Sequence, residues 1–394
     1  MFEKMDKDFI LHSYGRNYVN FTKGKSATIW DSNENEYIDF TSGIGVVSVG
    51  HANEKVSSAI CDQAQKILHI SNLFMIEPQA KLAKSLVEKS GFDMRCFFAN
   101  SGAEANEGAI KIARKYGEVD GEVKRYKVIT LKHSFHGRTI STLKATGQES
   151  MHNYFGPFPD GFVYADDIDH IKSLIDDHTV CVMLELIQGE GGVEPQDLQK
   201  VQELAKLLKS KDILLAVDEV QTGIYRTGEV FAANLYDIEP DIITVAKGLG
   251  NGVPIGVVMT KLKDIFSPGD HGSTFGGGYL VTRAAYEVLE ILEDYKTSGK
   301  LDEMMLYFES KLQNLCEQYP NIIEKEVGLG LMRGLRIKSA TLLTSLINNA
   351  FEQKVLLLKA GRNTLRFLPP LTITKEEVDE GFIRVKKAFE MTKA

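Results

Sequence analysis

An α/β fold follows from three observations. Seven short, nearly continuous apolar runs lie between residues 95 and 259: "RCFFA", "YKVITL", "FVYA", "VCVMLEL", "ILLAV", "DIITVA" and "IGVVM". Helical-period segments such as "LQKVQELAKLLKS" separate several of them. From about residue 281 the character shifts to long helical stretches and a few isolated strands. Apolar runs of this kind suit strands buried on both faces, and strand–helix alternation suits a mostly parallel sheet. The expectation is a β-rich entry over 1–50, a large domain with a mostly parallel seven-stranded sheet over 51–280, and a smaller α+β domain over 281–394.

The elements can be read in order. "SATIW" and "YIDF" flank "DSNENE", which reads as a hairpin turn. "NEKVSSAICDQAQKIL" and "PQAKLAKSLVEKS" carry apolar residues at helical spacing. The seven runs follow. Residues 283–319 then read as helical, "LMRGLRIK", "VLLLKAG" and "TLRFLPPLTI" as strands, and the last segment as a helix opening with a cap at Thr374.

Bulk properties narrow the function. The 394-residue chain is 43% hydrophobic and 25% charged, with a formal net charge of −8. That mild acidity argues against nucleic-acid or membrane-surface partners. No apolar run approaches a membrane span. The start, "MFEKMDKDFILHSYGRN", lacks the continuous apolar segment of a signal peptide, so a cytoplasmic location is expected. Cys61, Cys96, Cys181 and Cys316 are scattered with no C-x-x-C pair and read as reduced, with no metal site.

In parallel sheets ligands collect at the carboxyl ends of strands. After "RCFFA", Asn100-Ser101-Gly102-Ala103 leads into a helix. Such a start is either an ordinary N-cap or a phosphate seat built from free N–H groups and the Ser101 hydroxyl. After "YKVITL", Phe135 can cover a planar ligand and Arg138 can grip a carboxylate. After "ILLAV", Asp218 ends a buried strand, where an unpaired charge is costly and calls for a cation or metal. The acid pair Asp218-Glu219 also fits an ATPase. The P-loop it would require is missing: Val19 stands where Gly24-Lys25-Ser26 would need a glycine. There is no G-x-G-x-x-G for a dinucleotide either. After "DIITVA", Lys247 is either a snorkelling lysine or a desolvated nucleophile. One ligand would satisfy all of these: pyridoxal phosphate, with its phosphate, planar ring, basic ring nitrogen and aldehyde.

Seven segments, in this order and spacing, resemble the class III, pyridoxal-phosphate-dependent aminotransferases of fold type I. They are "FANSGAEANEGAIKIARKY", "HSFHGRT", "IQGEGG", "AVDEVQTGIYRTGE", "PDIITVAKGLGNGVPIG", "HGSTFGG" and "TLRFLPPL". The resemblance implies that residues 1–50 join the small domain and that Lys247 holds the cofactor covalently through its aldehyde. It implies a cofactor site of Ser101, Gly102, Ala103, Phe135 and the stretch Asp218-Glu219-Val220-Gln221, with Asp218 keeping the ring nitrogen protonated. Thr274 is implied to reach the phosphate of a neighbouring subunit's cofactor, which requires a homodimer. Arg138, Ser273, Ile44, Arg366 and Glu190 are implied to face the substrates, with Arg366 on a carboxylate of the 2-oxoglutarate/glutamate pair and Glu190 neutralising it when the amino donor lacks that group. The "GEGG" and "STFGG" wording leans toward N2-acetyl-L-ornithine as donor, in arginine biosynthesis, while succinyl-diaminopimelate, succinylornithine, ornithine and 4-aminobutyrate stay open. Two positions depart from the family pattern: Leu186 stands where a proline is usual, and Gly278 where an asparagine is.

Overall fold

The structure is a computed structural model that describes residues 2–392. Its centre is a seven-stranded sheet of β1 (Arg95–Ala99), β2 (Lys127–Leu131), β3 (Phe162–Ala165), β4 (Thr179–Leu184), β5 (Leu214–Asp218), β6 (Ile242–Val245) and β7 (Gly256–Thr260). The spatial order is β1-β7-β6-β5-β4-β2-β3. All neighbours pair in parallel except β7, which is antiparallel to both β6 and β1. All of β4, β5, β6 and β7 is buried, as their unbroken apolar runs require. The strand ends at Ala99, Leu131, Leu184, Asp218 and Val245 therefore share one edge. Gly256, the first residue of the reversed strand, joins that edge opposite Ala99.

The N-terminal strands Phe21–Lys25, Thr28–Asp31 and Glu36–Asp39 form an antiparallel meander, with the expected turn over "DSNENE". The helix Phe2–Phe9 was not anticipated in a β-rich entry; it buries no side chain and carries an i,i+4 pair between Glu3 and Lys7 at 2.7 Å. The meander gains a fourth strand from far along the chain, Val355–Leu356, which pairs in parallel with Glu36–Asp39. The run "VLLLKAG" thus divides between two sheets. Its second half, Leu358–Ala360, joins an antiparallel sheet with Ile323–Leu329, Met332–Ile337 and Thr364–Phe367. Ile323–Leu329 gave no strand signal because Glu324, Lys325 and Glu326 interrupt its apolar character. The helical stretch 283–319 is two helices, Tyr279–Thr297 and Lys300–Gln318, parted at Gly299 with φ +75°. The first packs against Glu54–Ala64 and Glu77–Ser90, the second against Ile323–Leu329 and Lys375–Met391. Thr374 caps that last helix with the reciprocal Thr374–Glu377 bonds its sequence suggests. Among the described residues no helix is long and apolar enough to cross a membrane.

Phe40 stitches the N-terminal segment to the C-terminal part. Its fully buried ring lies 5.4 Å from Phe308, 5.6 Å from Phe382 and 6.1 Å from Phe367, centroid to centroid. Helix Lys375–Met391 admits the ring only at Gly381, where a Cβ would stand 2.2 Å from Phe40 Cζ. Elsewhere Glu219, just past β5, is fully buried. It accepts from Ala233 N at 2.8 Å and from the Thr222 hydroxyl. Burial pushes its carboxyl up from 4.5 to about 7, against those hydrogen bonds.

Phe40→Ala is expected to destabilise the protein by about 3–5 kcal/mol, read as a lower denaturation midpoint. For Glu219 the folded pKa lies above the unfolded one. Its protonated form therefore stabilises the fold at low pH, and that contribution is lost as pH rises from 4.5 through about 7. Glu219→Gln is expected to lose less stability than the parent across that window, measured by denaturant titration at each pH.

Candidate active site

Six chain segments, around Val46, 100–106, 135–138, Glu185, 218–221 and 246–255, meet at the carboxyl edge of the sheet and enclose a cavity of about 370 Å³. The acid at its floor is Asp218, 4% exposed at the end of β5. Its Oδ2 accepts from Asn106 Nδ2 at 2.7 Å and from His136 Nδ1 at 2.8 Å. Its Oδ1 accepts from Val220 N at 3.0 Å and the Thr244 hydroxyl at 3.4 Å. Four donors thus satisfy one buried carboxylate. His136 is equally buried. Burial opposes its protonation, but Asp218 and then Glu185 outweigh that and raise its pKa above 6.5.

Lys247 follows β6 in a short 3₁₀ turn, at φ +42°. That left-handed backbone is uncommon for a residue with a side chain. Burial lowers the pKa of its amine, and Arg366 acts the same way against the carboxylates of Glu190, Asp218 and Glu185. A lowered pKa leaves more free base to act as nucleophile.

Ser101 caps the helix Gly102–Tyr116, accepting from Glu104 N at 3.2 Å. The structure shows the N-cap, and Ser101, Gly102 and Ala103 also line the cavity. The N–H groups of Gly102 and Ala103 belong to the first helical turn, which has no intrahelical acceptors. Gly102 sits so close to Val220 that a Cβ would come 2.7 Å from Val220 Cγ1. Any larger residue would press into the space beside the helix start.

Phe135 and Val220 line the same cavity, and the Arg138 guanidinium lies 5.4 Å over the Phe135 ring. Arg138 itself is exposed at the mouth. Arg366, 2% exposed, rises from the strand Thr364–Phe367. Its Nη1 donates to Glu190 Oε1 at 2.7 Å, Gln221 Oε1 at 3.2 Å and Gly189 O at 3.2 Å. Its Nε is buried with no acceptor among the described residues. Gln221 thereby links Arg366 to the segment that carries Asp218.

Six of the sequence-predicted residues do not line this cavity: the Arg366–Glu190 pair, Glu219, Thr274, Ser273 and Ile44. Glu219 is turned away from it, because successive side chains of an extended segment point to opposite sides; it serves the helix Ala232–Leu235 instead. Thr274 is exposed. Ser273 Oγ accepts from Asn100 Nδ2 at 3.1 Å and Gly276 N at 2.9 Å, beside the cavity wall. Ile44 is 44% exposed at φ +67° in the turn Ser42–Gly45, two residues before the cavity-lining Val46. The departures are quiet: Leu186 is fully buried, and Gly278 precedes helix Tyr279–Thr297 without a side-chain cap.

Sequence reasoning missed Asn106 and Glu185 and gave His136 no role. Glu185, just past β4, lines the cavity and accepts from Phe135 N at 3.0 Å and Gly189 N at 3.4 Å. Burial pushes it up from 4.5 to about 7, with His136 pulling it down. An acid closing the apolar run "VCVMLEL" was the available signal, the same one that singled out Asp218.

The residues fit pyridoxal phosphate. Two free N–H groups and a hydroxyl lie at the helix start, Phe135 and Val220 face the same space, and a secured carboxylate and a desolvated amine complete the set. The comparisons agree. The family model for class III aminotransferases matches residues 10–389. An acetylornithine aminotransferase of Wolinella succinogenes is 63% identical over 98% of this chain and 99% of its own length. The ornithine aminotransferase of Toxoplasma gondii, solved with partial occupancy of pyridoxal phosphate at its active site, superposes with a TM-score of 0.92 at 33% identity, over 99% of this chain and 94% of its own. The N-acetylornithine aminotransferase of Stenotrophomonas maltophilia gives 0.80 at 33%, over 96% and 97%. With fold, site and full-length relatives in agreement, the chain belongs to the class III aminotransferases and is a pyridoxal-phosphate-dependent enzyme.

Proposed function

We propose that this enzyme moves the δ-amino group of N2-acetyl-L-ornithine to 2-oxoglutarate, giving N-acetyl-L-glutamate 5-semialdehyde and L-glutamate in arginine biosynthesis. The observation that carries the reading is Arg366, a buried guanidinium beside the Asp218 segment that pairs with the single carboxylate of Glu190 at 2.7 Å. A five-carbon diacid brings a second carboxylate that can replace Glu190 on this fork of donors. A donor whose remote nitrogen reacts brings none there, and Glu190 then stays paired. The Wolinella succinogenes relative supports acetylornithine as the donor.

When bound, pyridoxal phosphate supplies an aldehyde carbon for the amine and an electron-withdrawing ring. The chain's residues do the rest. Ser101, Gly102 and Ala103 hold the phosphate. Asp218 keeps a proton on the ring nitrogen, and Asn106 and His136 keep Asp218 in place. Phe135 and Val220, which line the cavity, would cover the ring, and Gln221 would serve its hydroxyl. Lys247 Nζ would hold the aldehyde and, once freed by the donor amine, would serve as the base for the donor carbon next to the transferred nitrogen. Arg138 at the mouth holds the α-carboxylate, with Ser273 and Ile44 nearby. The two substrates use one site in turn, so ping-pong kinetics follow.

A cytoplasmic homodimer belongs to the same reading. Exposed Thr274 and Phe275, the latter 66% exposed, are available to a second copy. So does the division into 1–50, 51–280 and 281–394, supported by the sheet that Glu36–Asp39 shares with Val355–Leu356 and by the Phe40 cluster.

Glutamate formation is to be measured with acetylornithine, succinyl-diaminopimelate, ornithine and 4-aminobutyrate. Acetylornithine is expected to give the highest kcat/KM; a higher value for any other donor overturns the substrate assignment. Lys247→Ala is expected to lose at least about 100-fold in turnover. Borohydride treatment of the parent should add the cofactor's mass to the Lys247 peptide, with no such addition in the variant. Arg366→Gln is expected to lower kcat/KM for 2-oxoglutarate roughly 10- to 100-fold, the worth of a charge-assisted hydrogen bond.

A further inference from the structure

Arg226 is a fully enclosed arginine, 2% exposed, with no carboxylate among its partners in the described residues. Burying an unpaired charge is costly, so its place in the fold calls for a reason. Its Nη1 donates to two backbone carbonyls, Leu331 O at 3.1 Å and Pro369 O at 2.6 Å. Leu331 immediately precedes the strand Met332–Ile337, and Pro369 lies two residues past Thr364–Phe367. These strands are antiparallel neighbours, with Arg333 opposite Phe367 and Gly334 opposite Arg366. One guanidinium therefore bridges the adjoining ends of the strand that carries Arg366 and its neighbour. The main chain makes the same grip, since Leu331 N donates to Arg226 O at 2.9 Å. The turn comes so close that a Cβ on Gly330 would stand 2.5 Å from Arg226 O.

The other end of the connection is the catalytic segment. Asp218, Gln221 and Arg226 follow one another in a stretch that is buried almost throughout. Gln221 holds the Arg366 side chain at 3.2 Å, while Arg226 holds the backbone at Pro369, three residues past it, and at Leu331, just before the neighbouring strand. We propose that Arg226 is a positioning residue for the acceptor half-reaction: it clamps the Arg366 strand pair to the Asp218 segment and so fixes how far the Arg366 fork stands from the reacting carbon. The proposal rests on the reading of Arg366 as the site for a carboxylate of 2-oxoglutarate.

The proposal routes the effect of the clamp through the distance of Arg366 from the acceptor's carboxylate, so a loss confined to the acceptor half-reaction separates it from a general support of the fold. The two half-reactions are to be followed separately in the holoenzyme, by stopped-flow absorbance of the cofactor, for Arg226→Met, Arg226→Lys and Arg366→Gln. A displacement of about 1 Å in a positioned group costs up to about 100-fold. Arg226→Met is accordingly expected to weaken the acceptor half-reaction with 2-oxoglutarate roughly tenfold or more, chiefly through KM, while the donor half-reaction stays within about twofold. Arg226→Lys, which keeps a cationic donor, is expected to recover part of the loss. In an Arg366→Gln background, Arg226→Met is expected to add little. Equal losses in both half-reactions, or no selective loss, overturn the proposal. If Arg226→Met does not fold, Arg226→Lys decides alone, through a selective rise in KM for 2-oxoglutarate or its absence. If Arg366→Gln leaves 2-oxoglutarate untouched, the reading of Arg366 has failed. If it does not, yet the Arg226 variants show no selectivity, only the clamp has failed.

Discussion

The Asp218 carboxylate is the point on which the site depends. A carboxylate at the end of a fully buried strand is tolerated only with full hydrogen-bonding, and its three side-chain partners each belong to a different element. Asn106 brings the helix Gly102–Tyr116 and with it the Ser101 cap. His136 brings the loop that carries Phe135 and Arg138. Thr244 belongs to β6, three residues before Lys247. The bonds that satisfy this carboxylate also gather around it Ser101, Phe135 and Lys247, the residues proposed to seat the phosphate, cover the ring and hold the aldehyde. Solvating one carboxylate and organising a catalytic centre are here a single structural act.

Around that anchor the charges are arranged in opposition. Glu185 is pushed up to about 7 by burial, and Lys247 is pulled down by it. Arg366 and Glu190 neutralise each other. Ionisable groups crowded into a low-dielectric space shift toward neutral forms. Such groups exchange protons at modest cost near neutrality, which a reaction that repeatedly moves protons requires.

Much of this was legible in the sequence. The seven apolar runs became the seven strands because burial on both faces leaves an unbroken apolar pattern. Asp218 and Lys247 stood out because polar residues ending such runs need an explanation. The reversal of β7 was not legible, since an apolar run carries no mark of direction. The split of "VLLLKAG" between two sheets depends on pairings with residues 36–39 and 364–367, which local pattern cannot express. Glu219 was misplaced by its neighbours: adjacent acids look alike in a string, yet strand alternation sends them to opposite sides. Asn106 was invisible because an asparagine inside an amphipathic helix announces nothing until the partner that reaches it is known.

The pairing of Glu36–Asp39 with Val355–Leu356 bears on how the molecule comes into being. The first meander emerges early from the ribosome, but its edge partner is made only after the whole central sheet. At about 5–20 residues per second, that leaves the edge of Glu36–Asp39 unpaired, and Phe40 without its aromatic neighbours, for some tens of seconds. The large sheet can close in that interval, since its strands lie within one continuous stretch of chain. The N-terminal strands therefore wait for residues 308–382, and during synthesis their unpaired edge is open to chaperones and to mispairing.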